Sequence, residues 1–204
     1  EEARAARLKE EIAGARGLLL PGQKSVRGLF CGGTLCAEAL FVLRGRLGRI
    51  RSNVSHRDGE KIDGKETCRG SVLLDLGDDE FTNGRPHPMI EPSLRNDKIA
   101  EQGDDPEVGV ILLDFELGYG SHGDPAGETV PAIREARARA RAQGRELAVV
   151  GYICGTAADK QDFAGQRAAL LAEGVILAES NVEAAQTAAH TAPSGGKRPP
   201  APNS

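Results

Sequence analysis

The chain has 204 residues, 39% hydrophobic but only 3% aromatic, and carries a net charge of −4 from 26 basic and 30 acidic side chains. That length suits one α/β domain with extensions, and with no Trp its core must be built mostly from Leu, Val, Ile and Ala. The charge balance gives no electrostatic case for nucleic acid or an anionic membrane, and no apolar run approaches the ~20 residues of a membrane span.

Four cysteines (Cys31, Cys36, Cys68, Cys154) show neither a CxxC pair nor metal-ligand spacing with histidine. No metal centre is therefore expected, and isolated thiols without a visible export signal point to a reducing cytoplasm. The first residue is Glu1, which hints at a piece of a longer polypeptide.

Taken in order, residues 1–24 read as a helical extension and connector, with Leu8 and Ile12 four apart and Pro21-Gly22 closing it. From Ser25 a short apolar run breaks at Gly32-Gly33 and resumes at helical spacing through Leu35, Ala39, Leu40 and Leu43. Thr34 is expected as the N-cap and Glu38 in the first turn. Strand, glycine turn, helix is either an ordinary βα connection or an anion site, because free N–H groups and the helix dipole act together there. Arg49–Val54 and Ser71–Leu76 follow as strands.

Gly77–Asp97 is the least ordinary stretch, a stiff loop with three acids before Arg85 and His87 between two prolines, leading to a helix capped near Ser93. Arg85 with His87 is a candidate clamp for a carboxylate or phosphate, with Arg95 as a second donor. The competing reading pairs Arg85 with Asp78, Asp79 or Glu80. Glu107–Leu117 is the strongest strand and runs into the glycine-rich loop Gly118–Gly123. Asp75 and Asp114 near strand ends are site members or loop braces, and Glu116 beside the glycine loop is a plausible site acid. His122 is expected to be mobile and exposed. The arginines of 128–143 read as a solvated face. Leu147–Cys154 ends at Gly155-Thr156, a helix follows over 162–173, and Asn181 is expected to cap the last helix. Residues 192–204 are expected to be a disordered tail. Cys31 is a buried thiol or, less simply, a nucleophile.

Strands alternating with helices imply a doubly wound, mostly parallel sheet. The glycine turns and polar loops each follow a strand, as they must where ligands gather at strand carboxyl ends. Catalytic candidates are Arg85, His87 and Glu116. Anion-binding candidates are Gly32, Gly33, Thr34, Arg85, Gly118, Gly155 and Thr156.

The runs RGLFCGGTLCAEAL, DLGDDEFTNGRPHPMIEPSLRN and VILLDFELGYGSHGDPA resemble the C-terminal part of the FdrA family, which is acyl-CoA synthetase-like and related to succinyl-CoA synthetase. The ending VVGYICGTAADKQ…LLAEGVILAESNVEAA is similar to that enzyme's CoA-ligase domain. The resemblance covers 25–189 and implies a flavodoxin-like domain over 25–191. It also implies that the helix after Gly32-Gly33-Thr34 is one of two helices aimed at a shared phosphate. Succinyl-CoA synthetase places a phosphorylated histidine after the strand matching Leu147–Cys154, whereas this chain reads GTAADKQDFAGQ there. The CoA-binding and ATP-grasp domains have no counterpart. Oxamate carbamoyltransferase chemistry, linked to FdrA-type proteins, needs an acyl-phosphate site without phosphohistidine or CoA and suits these departures better. The resemblance thus implies half of an acyl- or carbamoyl-phosphate site, completed by FdrA-like N-terminal domains or a partner subunit. A succinate–CoA ligase-like subunit, with CoA as a possible ligand, and a non-catalytic assembly domain are the alternatives.

Overall fold

The computed structural model describes residues 2–63 and 69–193, so Cys68 and nearly all of the expected tail lie outside the described residues. Helix α1 (Glu2–Leu18) precedes β1 (Ser25–Phe30), α2 (Gly33–Leu47), β2 (Arg51–Ser52) and β3 (Val72–Asp75). Then follow α3 (Asp79–Thr82), α4 (Ser93–Glu101), β4 (Val108–Glu116), α5 (Pro125–Ala142), β5 (Ala148–Cys154), α6 (Phe163–Ala172), β6 (Ile176–Ala178) and α7 (Asn181–Thr191).

The six strands form one sheet in the order β2-β3-β1-β4-β5-β6, and every pairing is parallel. Setting aside the two-residue β2, the order β3-β1-β4-β5-β6 is that of flavodoxin-like folds, with the switch point between β1 and β4. The expected doubly wound α/β architecture is present, and its sheet is parallel throughout.

Period-two alternation distributes the core. Along β4, Ile111, Leu113 and Phe115 join one cluster with Ile99 of α4, Ile133 of α5 and Leu170 of α6. Val110 and Leu112 join the other, with Leu40 and Leu43 of α2 and Ala184, Ala185 and Ala188 of α7. The small residues of α7 let it lie close against both the sheet and α2. Asn181 ties the two helices together, donating to Leu35 O and Glu38 Oε2 at 2.8 Å each. The N-cap of α7 is Ser180, whose hydroxyl accepts from Glu183 N at 3.1 Å, and Asn181 is already the first helical residue.

Helix α1 buries none of its side chains fully; it is held by Leu8 and Ala15 against the second cluster and by a two-pronged Arg4–Glu183 pair at 2.9 and 2.8 Å. In the connector, Gln23 is fully buried and donates to Val108 O and Glu146 O, which anchors the entry to β1 beside β4 and β5. The stiff loop after β3 contains a short helix that the prolines and acids concealed: Asp78 caps α3 by accepting from Glu80 N at 3.0 Å. The α5 helix starts at Pro125, ahead of the expected Glu128, because Asp124 caps it and proline suits the first helical position. Its arginines are tied down as a solvated face: Arg134 to Glu173, Arg139 to Glu135 and Asp104, Arg141 to Glu146.

Candidate functional site

At the switch point, β4 outruns β1: Leu29 pairs with Leu113, so Asp114, Phe115 and Glu116 continue alongside the β1–α2 turn. The alternation that sends Val110 and Leu112 towards α2 also sends Asp114 and Glu116 there. Asp75, following Leu74 on the neighbouring strand, arrives from the other side.

Three carboxylates thus meet the start of α2. Asp114 is fully buried and accepts from Cys31 N at 2.9 Å and Gly32 N at 2.8 Å. The glycine doublet has a steric cause: a Cβ on Gly32 would lie 2.4 Å from Glu116 Oε1, and one on Gly33 would lie 2.5 Å from Asp75 Oδ2. Only glycine permits so close an approach of backbone to carboxylate. The N-cap of α2 is Gly32, not Thr34, and no side chain caps it. Thr34 is the second helical residue, and no acid occupies the first turn; Glu38 lies beyond it, bound to Asn181. The N–H groups of Gly33 and Thr34 have no partner inside the helix, as the geometry of a helix start dictates.

Arg95 arrives from α4 on the opposite layer. It is 2% exposed, and its guanidinium donates to Asp114 O at 2.7 Å, Asp114 Oδ1 at 3.2 Å and Thr129 Oγ1 at 3.0 Å, lying 5.4 Å from the Phe115 ring centroid. The expectation of Arg95 as a substrate donor is thus corrected: its charge is committed to the buried carboxylate. Burial raises the Asp114 carboxyl above the usual range, while Arg95 and the two N–H donors oppose that rise. Burial also raises Asp75, with Asp78 and Asp114 adding to it. Glu116 is pushed up to about 7, first by burial and then by Asp114, so near neutrality it holds a proton about half the time.

His87 packs on this cluster. A Cβ on Gly77 would lie 2.2 Å from His87 Nε2 and 2.7 Å from Cys31 O, and His87 Nδ1 accepts from Met89 N at 3.2 Å. The bond into Nδ1 assigns the ring proton to Nε2, the atom turned towards Gly77. Cys31 is buried and raised to about 12 by desolvation, which makes it a core thiol rather than a nucleophile.

The remaining candidates lie apart in their bonding. Arg85 is exposed and makes no side-chain hydrogen bond or ion pair among the described residues, so the pairing with Asp78, Asp79 or Glu80 does not form. Gly118 sits at φ 114°, and its N–H and C=O are both taken by Gln161, at 3.0 and 2.8 Å. Gly155 is a packing glycine, since a Cβ there would lie 2.7 Å from the Leu117 side chain. The Thr156 N–H is engaged by Asp159 at 2.6 Å. His122 is half-buried rather than exposed: its backbone N–H donates to Met89 O at 2.8 Å and its Nδ1 accepts from Asp124 N at 3.1 Å. The structure therefore gathers Gly32, Gly33, Thr34, His87 and Glu116, with Asp75 and Asp114, and leaves Arg85, Gly118, Gly155 and Thr156 outside that bonding. Among the described residues no group of three His, Cys, Asp or Glu side chains is placed to hold a metal ion, and no helix is long and apolar enough to cross a membrane.

An open parallel sheet flanked by helices, with a glycine turn, an uncapped helix end and raised carboxyls converging at its switch point, defines a doubly wound α/β domain. The chain belongs to the CoA-ligase family, whose sequence pattern matches residues 29–191. It is similar to the uncharacterized protein YahF of Escherichia coli (strain K12), with 46% identity over 170 residues, which is 83% of this chain and 33% of YahF. The chain thus spans about a third of the length of that relative.

Proposed function

We propose that this chain is the CoA-ligase domain of an FdrA-type enzyme and supplies half of an acyl- or carbamoyl-phosphate site, in chemistry of the oxamate carbamoyltransferase kind. The observation that carries the reading is the uncapped start of α2 beside Glu116, whose carboxyl titrates at about 7. A phosphate seated on Gly33 and Thr34 N–H is favoured by the dipole and opposed by any ionised carboxylate beside it. Protonated Glu116 resolves that conflict, because a neutral carboxyl donates a hydrogen bond to a phosphate oxygen. His87 Nε2–H is a second neutral donor on the same side. Asp114 and Arg95 position the turn and do not meet the ligand. Asp75 and Asp114 beside the turn oppose a more highly charged group such as the pyrophosphate arm of CoA, so no step is routed through CoA.

Phosphate titration followed by amide NMR tests this. Gly33 and Thr34 should shift, and binding of sulfate, whose charge stays constant near neutrality, should tighten as pH falls through about 7. A specific observation favours an assembly role instead, since Asp114 already occupies the Cys31 and Gly32 N–H groups. In that case phosphate leaves Gly33 and Thr34 unmoved at every pH.

A further inference from the structure

The crevice at the carboxyl edge leaves unexplained a basic pocket at the opposite, amino edge of the sheet. Arg49 precedes β2, Arg51 begins it, and Arg69, Gly70 and Ser71 lead into β3; together they line a concave pocket of about 280 Å3. We infer that this pocket binds the phosphate or diphosphate group of a small ligand.

Several other arginines of this acidic chain are matched with carboxylates: Arg27 with Asp105, Arg44 with Glu60, Arg95 with Asp114, and Arg134, Arg139 and Arg141 of α5 with their acids. The exposed Arg85 stands apart from this pocket. Arg49, Arg51 and Arg69 have no carboxylate partner among the described residues, yet they face one cavity. Three like charges so placed repel one another unless an anion sits among them. Two of the three are already oriented. The Arg49 guanidinium donates to Gly59 O and that of Arg51 to Arg69 O, each leaving most of its N–H donors for a ligand. Fixing the guanidinium before binding lowers the ordering cost that flexible side chains otherwise impose. The Ser71 hydroxyl accepts from Val26 N at 3.1 Å, which leaves its own hydrogen to donate. The neighbouring acid, Glu107, accepts from Gly70 N at 3.1 Å and is thereby held on the backbone. Planar forks match the oxygens of a tetrahedral phosphate, and three cations suit a ligand of charge two or more better than a single carboxylate.

The test uses the whole chain with inorganic phosphate and pyrophosphate as probes, read by amide NMR. Saturable shifts are expected at Arg51, Gly70 and Ser71, with pyrophosphate binding the tighter and both weakening at high ionic strength. Arg69→Gln is the cleanest variant because the Arg69 side chain makes no hydrogen bond within the described residues. It should weaken pyrophosphate binding at this pocket about tenfold. Arg49→Gln should act in the same direction. Arg134→Gln, which changes net charge equally but lies in the α5–Glu173 pair, should leave binding unchanged. The inference is overturned if the probes leave Arg51, Gly70 and Ser71 unmoved, or if Arg69→Gln and Arg134→Gln weaken binding equally. Shifts confined to Gly33 and Thr34 overturn this pocket while supporting the crevice, and shifts confined to the pocket do the reverse.

Discussion

Glu116 shows how one side chain couples the site to the stability of the fold. Its carboxyl is raised from 4.5 to about 7, chiefly by burial, with Asp114 and Asp75 adding repulsion and Arg95 opposing it. Between those two values the native chain holds a proton that the unfolded chain has released, so stability falls as pH rises through that window. Glu116→Gln removes the titration while keeping the size of the side chain. We expect the variant to be more stable than the parent above pH 7 and close to it near pH 5. The gain should be about 1–2 kcal/mol, a figure reduced from the full shift because part of the carboxylate reaches water. Urea denaturation of both proteins across pH checks it; a difference that does not change with pH would place Glu116 in ordinary solvent. A device that lowers stability at neutral pH makes physical sense when the proton serves a ligand.

At the scale of elements, β4 connects the two layers, because its end holds the α2 turn through Asp114 and the α4 and α5 helices through Arg95. Asp114→Asn keeps the shape but turns an amide towards N–H donors and leaves the guanidinium without its counter-charge. A loss of about 3–5 kcal/mol is expected, since a buried pair broken on one side strands the other. Hydrogen exchange should quicken first at Cys31 and Gly32. A loss below about 1 kcal/mol, no more than a single ordinary hydrogen bond, would mean that the turn holds itself. Much of this architecture was legible from the chain: alternating strands and helices implied the parallel sheet, and glycine turns after strands marked its carboxyl edge. The partners across that edge were not legible. Nothing local tells that Asp114 reaches Cys31, 83 residues away. The same applies to Arg95, which looks like a surface donor on a polar helix and is buried only because α4 packs on the strand carrying Asp114. Thr34 looked like the better cap because threonine can bond a helix end. Gly32 takes the position because two carboxylates crowd the turn so closely that a Cβ would collide. The Arg49–Arg51–Arg69 pocket was equally hidden, as its members come together only when β2 pairs with β3.

For the molecule as a whole, the deciding quantity is how much stabilisation one domain can give a transferring phosphate. The crevice offers the start of one helix, worth at most about 2 kcal/mol in a partly buried setting. That value is an upper bound here, because Asp114 already accepts from two of the N–H groups at the turn. Glu116 and His87 add neutral donors, each worth about 1 kcal/mol when uncharged. Enzymatic acceleration needs at least about 8 kcal/mol, supplied for phosphoryl and acyl-phosphate chemistry by donors surrounding the developing charge. The shortfall is several kcal/mol. YahF, about three times as long as the stretch it shares with this chain, leaves ample room for further domains in a relative of this kind. The isolated chain should therefore show no turnover of carbamoyl phosphate with oxamate, and none of acyl phosphates with CoA. Supplying FdrA-like N-terminal domains or a partner subunit should produce activity that Glu116→Ala, which removes the donor, reduces without unfolding the chain. Steady-state kinetics on the separate and mixed components make the comparison, with the Glu116→Ala chain as the control for contaminating enzyme. Turnover by the parent chain alone that the variant loses would show that one domain suffices and that the half-site reading is wrong.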